Sequence, residues 1–152
     1  PLLVQEEIRA ISHMVRKDVL RTDRTHKYFA VDDNHPHIVA LHDVLTTYAL
    51  NHPSVGYCQG MSDLASPILA TLNNEAHAYI CFVALMRRLK PNFSPTGETM
   101  TLKFAHLAEA IRVYDPVLHR YLQSQDAGDL LFCYRWLLLE MKREFAFEDA
   151  LE

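Results

Sequence analysis

Apolar residues recur at Val4, Ile8, Ile11, Val15 and Val19, close to the helical period, and predict a helix with one buried face. Glu6 and Glu7 lie near its start and Arg16-Lys17 near its end, the placement that the helix dipole favours. From Thr22 to Pro36 the chain is polar and reads as a long loop, with Asp32-Asp33-Asn34 close to the proline. A second stripe, Ile38, Leu41, Leu45, Tyr48 and Ala49, predicts a helix over 37–51. His52-Pro53 ends it, because a residue before proline avoids the helical region. After a short connection, Met61, Leu64, Ala65, Ile68, Leu69 and Leu72 predict a third helix. Pro67 falls in its middle, cannot donate to the Asp63 carbonyl and crowds it, so a kink or a late start is expected.

The segment 76–86 is apolar at every position except His77, which predicts a helix buried on all sides. A loop with two prolines and a glycine follows over 90–99, then two shorter helices over 100–113 and 116–124. Residues 129–143 predict a second nearly all-apolar helix, interrupted by Arg135 and Glu140. The expected fold class is all-α, a multi-helix globular domain with two buried central helices wrapped by amphipathic ones. No repeat of fixed period is present, which argues against a solenoid.

Composition supports this class. The 152 residues are 49% hydrophobic and 22% charged, a globular balance, and they suffice for one domain. Only four glycines occur, which disfavours a sheet protein rich in tight turns. The net charge of −4 comes without a basic stripe, so nucleic acid is excluded as the main partner. The pairs Arg16-Lys17, Arg87-Arg88 and Lys142-Arg143 each sit toward a predicted helix end and read as complements of the dipole. Cys58, Cys81 and Cys133 are odd in number and lack C-x-x-C spacing, so neither a zinc knuckle nor a disulfide framework is suggested. Cys81 and Cys133 lie in apolar runs, where burial is expected, and a reducing, cytoplasmic compartment fits. No apolar run is long enough to span a bilayer. The chain opens on proline and ends on 147–152 as if another helix were beginning, so a piece of a longer protein is expected.

Two stretches place polar residues where helices meet loops. In Val15-Arg16-Lys17-Asp18-Val19-Leu20-Arg21-Thr22, Asp18 and Arg21 share a helical face, so the acid can hold the guanidinium at a fixed angle. By itself this reads first as a helix-terminal ion pair, with Arg21 capping the last carbonyls. In Val55-Gly56-Tyr57-Cys58-Gln59-Gly60-Met61-Ser62-Asp63-Leu64, two glycines bracket Tyr57 and Gln59, which suggests a sharp turn or a close approach of another chain. By itself this reads first as an ordinary loop leading to a helix capped by Ser62 or Asp63.

Together the two stretches resemble the TBC-domain family of Rab GTPase-activating proteins, marked by I-x-x-D-x-x-R and, some tens of residues later, Y-x-Q-G. Val15 stands for the isoleucine, Asp18 and Arg21 match, and Thr22 continues the usual R-T. Tyr57, Gln59 and Gly60 match the second motif in full. Arg135-Trp136 within Phe132–Leu138, and Arg143-Glu144-Phe145, look like the family's R-W and R-E-F stretches. The 62–67 run most resembles a subgroup containing an autophagy-linked TBC protein once labelled ornithine aminotransferase-like.

The resemblance implies that residues 1–152 form the N-terminal and central part of one TBC-type domain, continued by further helices on the C-terminal side. It implies a partner, a GTP-bound Rab-family GTPase that itself holds GTP and magnesium, so the domain has no cofactor of its own. Arg21 would be an arginine finger stabilising charge on the transferring phosphoryl group, and Gln59 a glutamine finger orienting the attacking water. Asp18 would orient Arg21, with Tyr57, Thr22 and Gly60 in support. Arg135 and Trp136, inside an apolar run, are expected to be structural, as a buried paired arginine and a core filler. The implied setting is vesicle traffic at endosomal or autophagosomal membranes reached through partners.

Two other classes compete. A non-catalytic Rab-binding or scaffold module would share the fold. An HD-type metal phosphohydrolase would use His42-Asp43 with His26, His35 or His37 and a distant aspartate as further ligands.

Overall fold

The structure is a computed structural model that describes residues 2–151, with side chains from residue 5 onward. Among these residues every regular element is helical: α1 (Leu2–Val19), α2 (Pro36–Asn51), α3 (Met61–Leu72), α4 (Glu75–Leu89), α5 (Glu98–Tyr114), α6 (Pro116–Ser124) and α7 (Tyr134–Leu138). Short 3-10 turns at Lys90–Phe93, Leu131–Cys133, Lys142–Glu144 and Asp149–Leu151 complete the chain.

The core is built where the first four helices meet. Helix α1 packs on α2, α2 on α3 and α4, and α3 on α4. From α2, Ile38, Leu41, Leu45, Tyr48 and Ala49 are all buried, as its stripe predicts. Each such large apolar side chain contributes about 1.5–3 kcal/mol by leaving water. Pro36 at the first turn and the His35 ring, which accepts from the His37 amide (3.2 Å), fix the start of α2. In α1 the stripe is buried at Val15 and Val19 but exposed at Ile8, and the Val4 side chain lies outside the described residues.

Helix α3 starts at Met61 and runs through Pro67, so no late start occurs. The Asp63 carbonyl, whose helical partner would be the amide that Pro67 lacks, has the Ser66 hydroxyl oxygen 3.4 Å away. Helix α3 is the most enclosed element: every residue from Met61 to Ser66 is buried.

The two apolar segments expected at the centre are not enclosed. In α4 only Ala78, Phe82, Met86 and Leu89 are buried, spaced along one face, while Ile80 is 64% exposed and Cys81 is exposed. The 129–143 segment is not one helix. Leu130 (φ 58), Glu140 (φ 51) and Met141 (φ 63) adopt left-handed backbone, which breaks it into a 3-10 turn, α7 and a second 3-10 turn. Only Leu130, Cys133 and Leu139 turn inward. A continuous helix is held mainly by packing of an apolar face, and here that face meets few neighbours. Helices α5 and α6 lie outside the core, with Met100 the one buried residue in α5 and none in α6.

The polar 22–36 loop is a chain of tight turns that carries Phe29 into the core, fully buried. These turns set the C-terminal end of α1 against the N-terminal end of α3.

Candidate active site

Arg21 lies one turn beyond Asp18 at the end of α1, where the chain leaves the helix through Arg21 N–H to Asp18 carbonyl (3.1 Å). Its Nε (3.1 Å) and Nη2 (2.5 Å) both donate to Asp18 Oδ1. The arginine side chain is 59% exposed and the carboxylate only 9%, so a buried anchor fixes a projecting cation. The second oxygen of Asp18 accepts from the Tyr57 hydroxyl at 2.7 Å. Burial, then the hydrogen bond and charge of Asp18, push the Tyr57 hydroxyl far above its usual pKa, so it stays a donor.

Thr22 ties the same turn to α3. Its hydroxyl donates to the Asp18 carbonyl (2.7 Å) and is hydrogen-bonded to Ser62 Oγ (2.8 Å), all buried. On the other side of the junction, Gly60 caps the start of α3 with φ 97, a left-handed backbone open to glycine. A Cβ there would come 3.0 Å from Leu139 Cδ2. Gly60 therefore lets the exposed Gln59 stand directly before a buried helix.

Ser62 and Asp63 are not helix caps; both are buried and bond across the fold. Asp63 receives Arg143 through Nε (2.9 Å) and Nη2 (2.7 Å). Lys142 Nζ donates to both carboxylate oxygens of Asp23, and Ser66 Oγ donates to Asp23 Oδ2 (2.5 Å). Lys142 and Arg143 thus do not serve a helix end, as their position suggests, because the helix they were to close is broken. They clamp the turn after Arg21 and the start of α3 to the C-terminal segment. This clamp is invisible in sequence, since Asp23 and Lys142 stand 119 residues apart.

Arg21 and Gln59 line one cleft of about 610 Å³, together with Asp18, Asp63 and Arg143. Both Arg21 bonds to Asp18 leave its Nη1 amino group without a bond among the described residues. The site therefore offers a fixed cation and a side-chain amide to something that approaches from outside.

The family profile described as the Rab-GTPase-TBC domain matches residues 3–152. The chain belongs to the Rab-GTPase-TBC domain family. It is 60% identical to human TBC1 domain family member 25 over 146 residues, 96% of this chain and 21% of that protein. It is 44% identical to human TBC1 domain family member 17 over 151 residues, 97% of this chain and 23% of that protein. The solved Ypt/Rab-GAP domain of Gyp1p superposes with a TM-score of 0.83 at 18% identity, over 95% of this chain and 52% of that one. The chain thus spans about a fifth of the curated relatives and about half of the solved domain.

In this TBC fold Arg135 is not buried. Its side chain is 57% exposed and pairs with Glu144 through Nε (2.6 Å) and Nη2 (3.2 Å), and that bonding holds the Glu144 carboxyl below its usual range. Trp136 is half-buried and meets Phe132 edge-on (5.7 Å, 85°). The departure follows from the break of the 129–143 segment, which turns its polar edge to the cleft.

Of the histidines of the metal-hydrolase reading, His35 and His37 meet edge-on (4.4 Å), and each of the four is engaged within the fold. His42 bonds Asp43 (2.9 Å) and Ser12 (3.0 Å), His37 bonds the Tyr28 carbonyl (2.8 Å), His35 caps α2, and His26 stacks on Phe147 (3.9 Å). Among the described residues no three histidine, cysteine or acidic side chains converge as a ligand set. Nor is any described helix long and apolar enough to cross a membrane.

Proposed function

We propose that this domain accelerates GTP hydrolysis by a Rab-family GTPase in its GTP-bound state, lending Arg21 and Gln59 to the partner's active site. The observation that supports this most is the Tyr57–Asp18–Arg21 relay: a buried carboxylate, itself held by a buried hydroxyl, aims an exposed guanidinium into the cleft that Gln59 lines.

The partner supplies nucleotide and magnesium. This chain's residues orient and neutralise. Arg21 offers a permanent charge and a planar fork to phosphoryl oxygens as negative charge spreads over them. Asp18 fixes the angle of that fork, so little reorientation is needed as the reaction proceeds. Gln59 accepts from the attacking water and donates toward the phosphoryl group. The setting proposed is the cytoplasmic face of vesicle, endosomal or autophagosomal membranes, reached through other parts of the protein.

The test is a GTP-hydrolysis panel across Rab GTPases with the full-length domain, run beside direct binding. The parent should accelerate at least one GTPase. Gln59→Ala should lower the maximal rate while leaving affinity close to that of the parent. Equal losses in affinity and rate would make Gln59 a docking residue instead. Binding without acceleration anywhere in the panel would favour a scaffold of the same fold.

A further inference from the structure

Both side-chain bonds of Arg21 go to Asp18, so no bond of its own ties the guanidinium to Gln59. What fixes one finger relative to the other must lie behind them. Thr22 directly follows Arg21, and Ser62 stands on the first turn of α3, shortly after Gln59. The Thr22 hydroxyl bridges the Asp18 carbonyl (2.7 Å) and Ser62 Oγ (2.8 Å), and Thr22 and Ser62 are only 5% and 1% exposed. A serine at a helix start ordinarily serves the free amides of its own first turn. Here no side chain caps α3, and the Ser62 hydroxyl is spent on Thr22, 40 positions away.

We propose that Ser62 and Thr22 are positioning residues, whose buried hydrogen bond sets the distance between Arg21 and Gln59. The inference rests on the GTPase-activating reading, in which both side chains act on one phosphoryl group. Groups that share a reacting centre have to be held within about 0.5 Å, and a misplacement of ~1 Å can cost roughly 10²-fold in rate. The Tyr57–Asp18 bond governs the angle of the Arg21 side chain, because it ends on the carboxylate that the guanidinium grips. The Thr22–Ser62 bond acts instead on the backbone, joining the turn that carries Arg21 to the helix start that follows Gln59. Farther from the fingers, Ser66 and Lys142 both meet Asp23 and hold the two segments together without it. Loss of the Thr22–Ser62 bond therefore leaves the domain folded while the two fingers drift relative to each other.

The test uses the full-length domain with a GTP-loaded Rab that it accelerates. Thr22→Val exchanges the hydroxyl for a methyl group of similar size, Ser62→Ala removes the other partner, and Thr22→Ser keeps the bond. Thr22→Val and Ser62→Ala should each lower kcat about tenfold, with KM and Kd close to the parent values. Thr22→Ser should retain the parent kcat. The double variant should lose no more than either single one, because both changes delete the same bond. Phe82→Leu, a change in the buried face of α4, should lower Tm and leave kcat at the parent value. A kcat that simply follows Tm across all these variants would make the bond structural only and overturn the proposal. So would an unchanged kcat in Thr22→Val or Ser62→Ala, a Thr22→Ser as slow as Thr22→Val, losses that multiply in the double variant, or failure of either single variant to fold. Each of these outcomes leaves the activating function standing, since the parent still accelerates hydrolysis. A parent domain that accelerates no GTPase would overturn both.

Discussion

A guanidinium that acts on another protein's phosphates has to be charged, projecting and fixed in angle, and Asp18 supplies the last by receiving Nε and Nη2 on one oxygen. The other oxygen belongs to Tyr57. Tyr57→Phe deletes that bond and leaves a buried carboxylate one donor short, a cost of about 1–2 kcal/mol in thermal or denaturant unfolding. With its anchor loosened, Arg21 should lose about tenfold in maximal acceleration, read as kcat against an unchanged KM. A pH signature accompanies this. The folded state raises the Tyr57 pKa above the ordinary 10.0 of the unfolded chain. The resulting stabilisation is complete below pH 10 and is lost as pH climbs toward the folded-state value. Parent stability should therefore fall on the alkaline side more steeply than that of Tyr57→Phe. The variant's fall should be shallower but not flat, because burial also raises Tyr28 and Tyr48.

At the scale of elements, the end of α1 and the start of α3 are joined by contacts that neither helix could make alone. Thr22 meets Ser62, Ser66 meets Asp23, and Lys142 and Arg143 close the arrangement from the C-terminal segment. Lys142 and Asp23 are 9% and 16% exposed at the side chain. Lys142→Met keeps the length but strands the carboxylate, and should destabilise the domain by about 3 kcal/mol in denaturant unfolding. Helices with a one-sided stripe, such as α2, were legible from periodicity, because burial of one face leaves a regular mark. Helix α4 misled for the opposite reason. Its apolar composition all round suggests enclosure, but the fold covers only the Ala78–Phe82–Met86–Leu89 face. The 129–143 segment misled again, since continuous helix propensity says nothing of left-handed backbone at Leu130, Glu140 and Met141.

For the whole molecule, the fold class and the two motif stretches were readable, while their meeting was not. Asp18 and Arg21 are local, so their pairing follows from helical spacing. Tyr57 lies 39 residues from Asp18 and Lys142 lies 119 from Asp23, and no period or composition reports such contacts. The central claim is that Arg21 serves as a charge-stabilising finger for a partner GTPase. It is tested most directly by single-turnover GTP hydrolysis on a responsive Rab with Arg21→Lys in the full-length domain. Lysine keeps the charge but loses the planar fork and the paired donors to Asp18. The predicted result is hydrolysis close to the unassisted rate, roughly a 10³-fold loss of acceleration or more. Acceleration by Arg21→Lys equal to that of the parent would contradict the account.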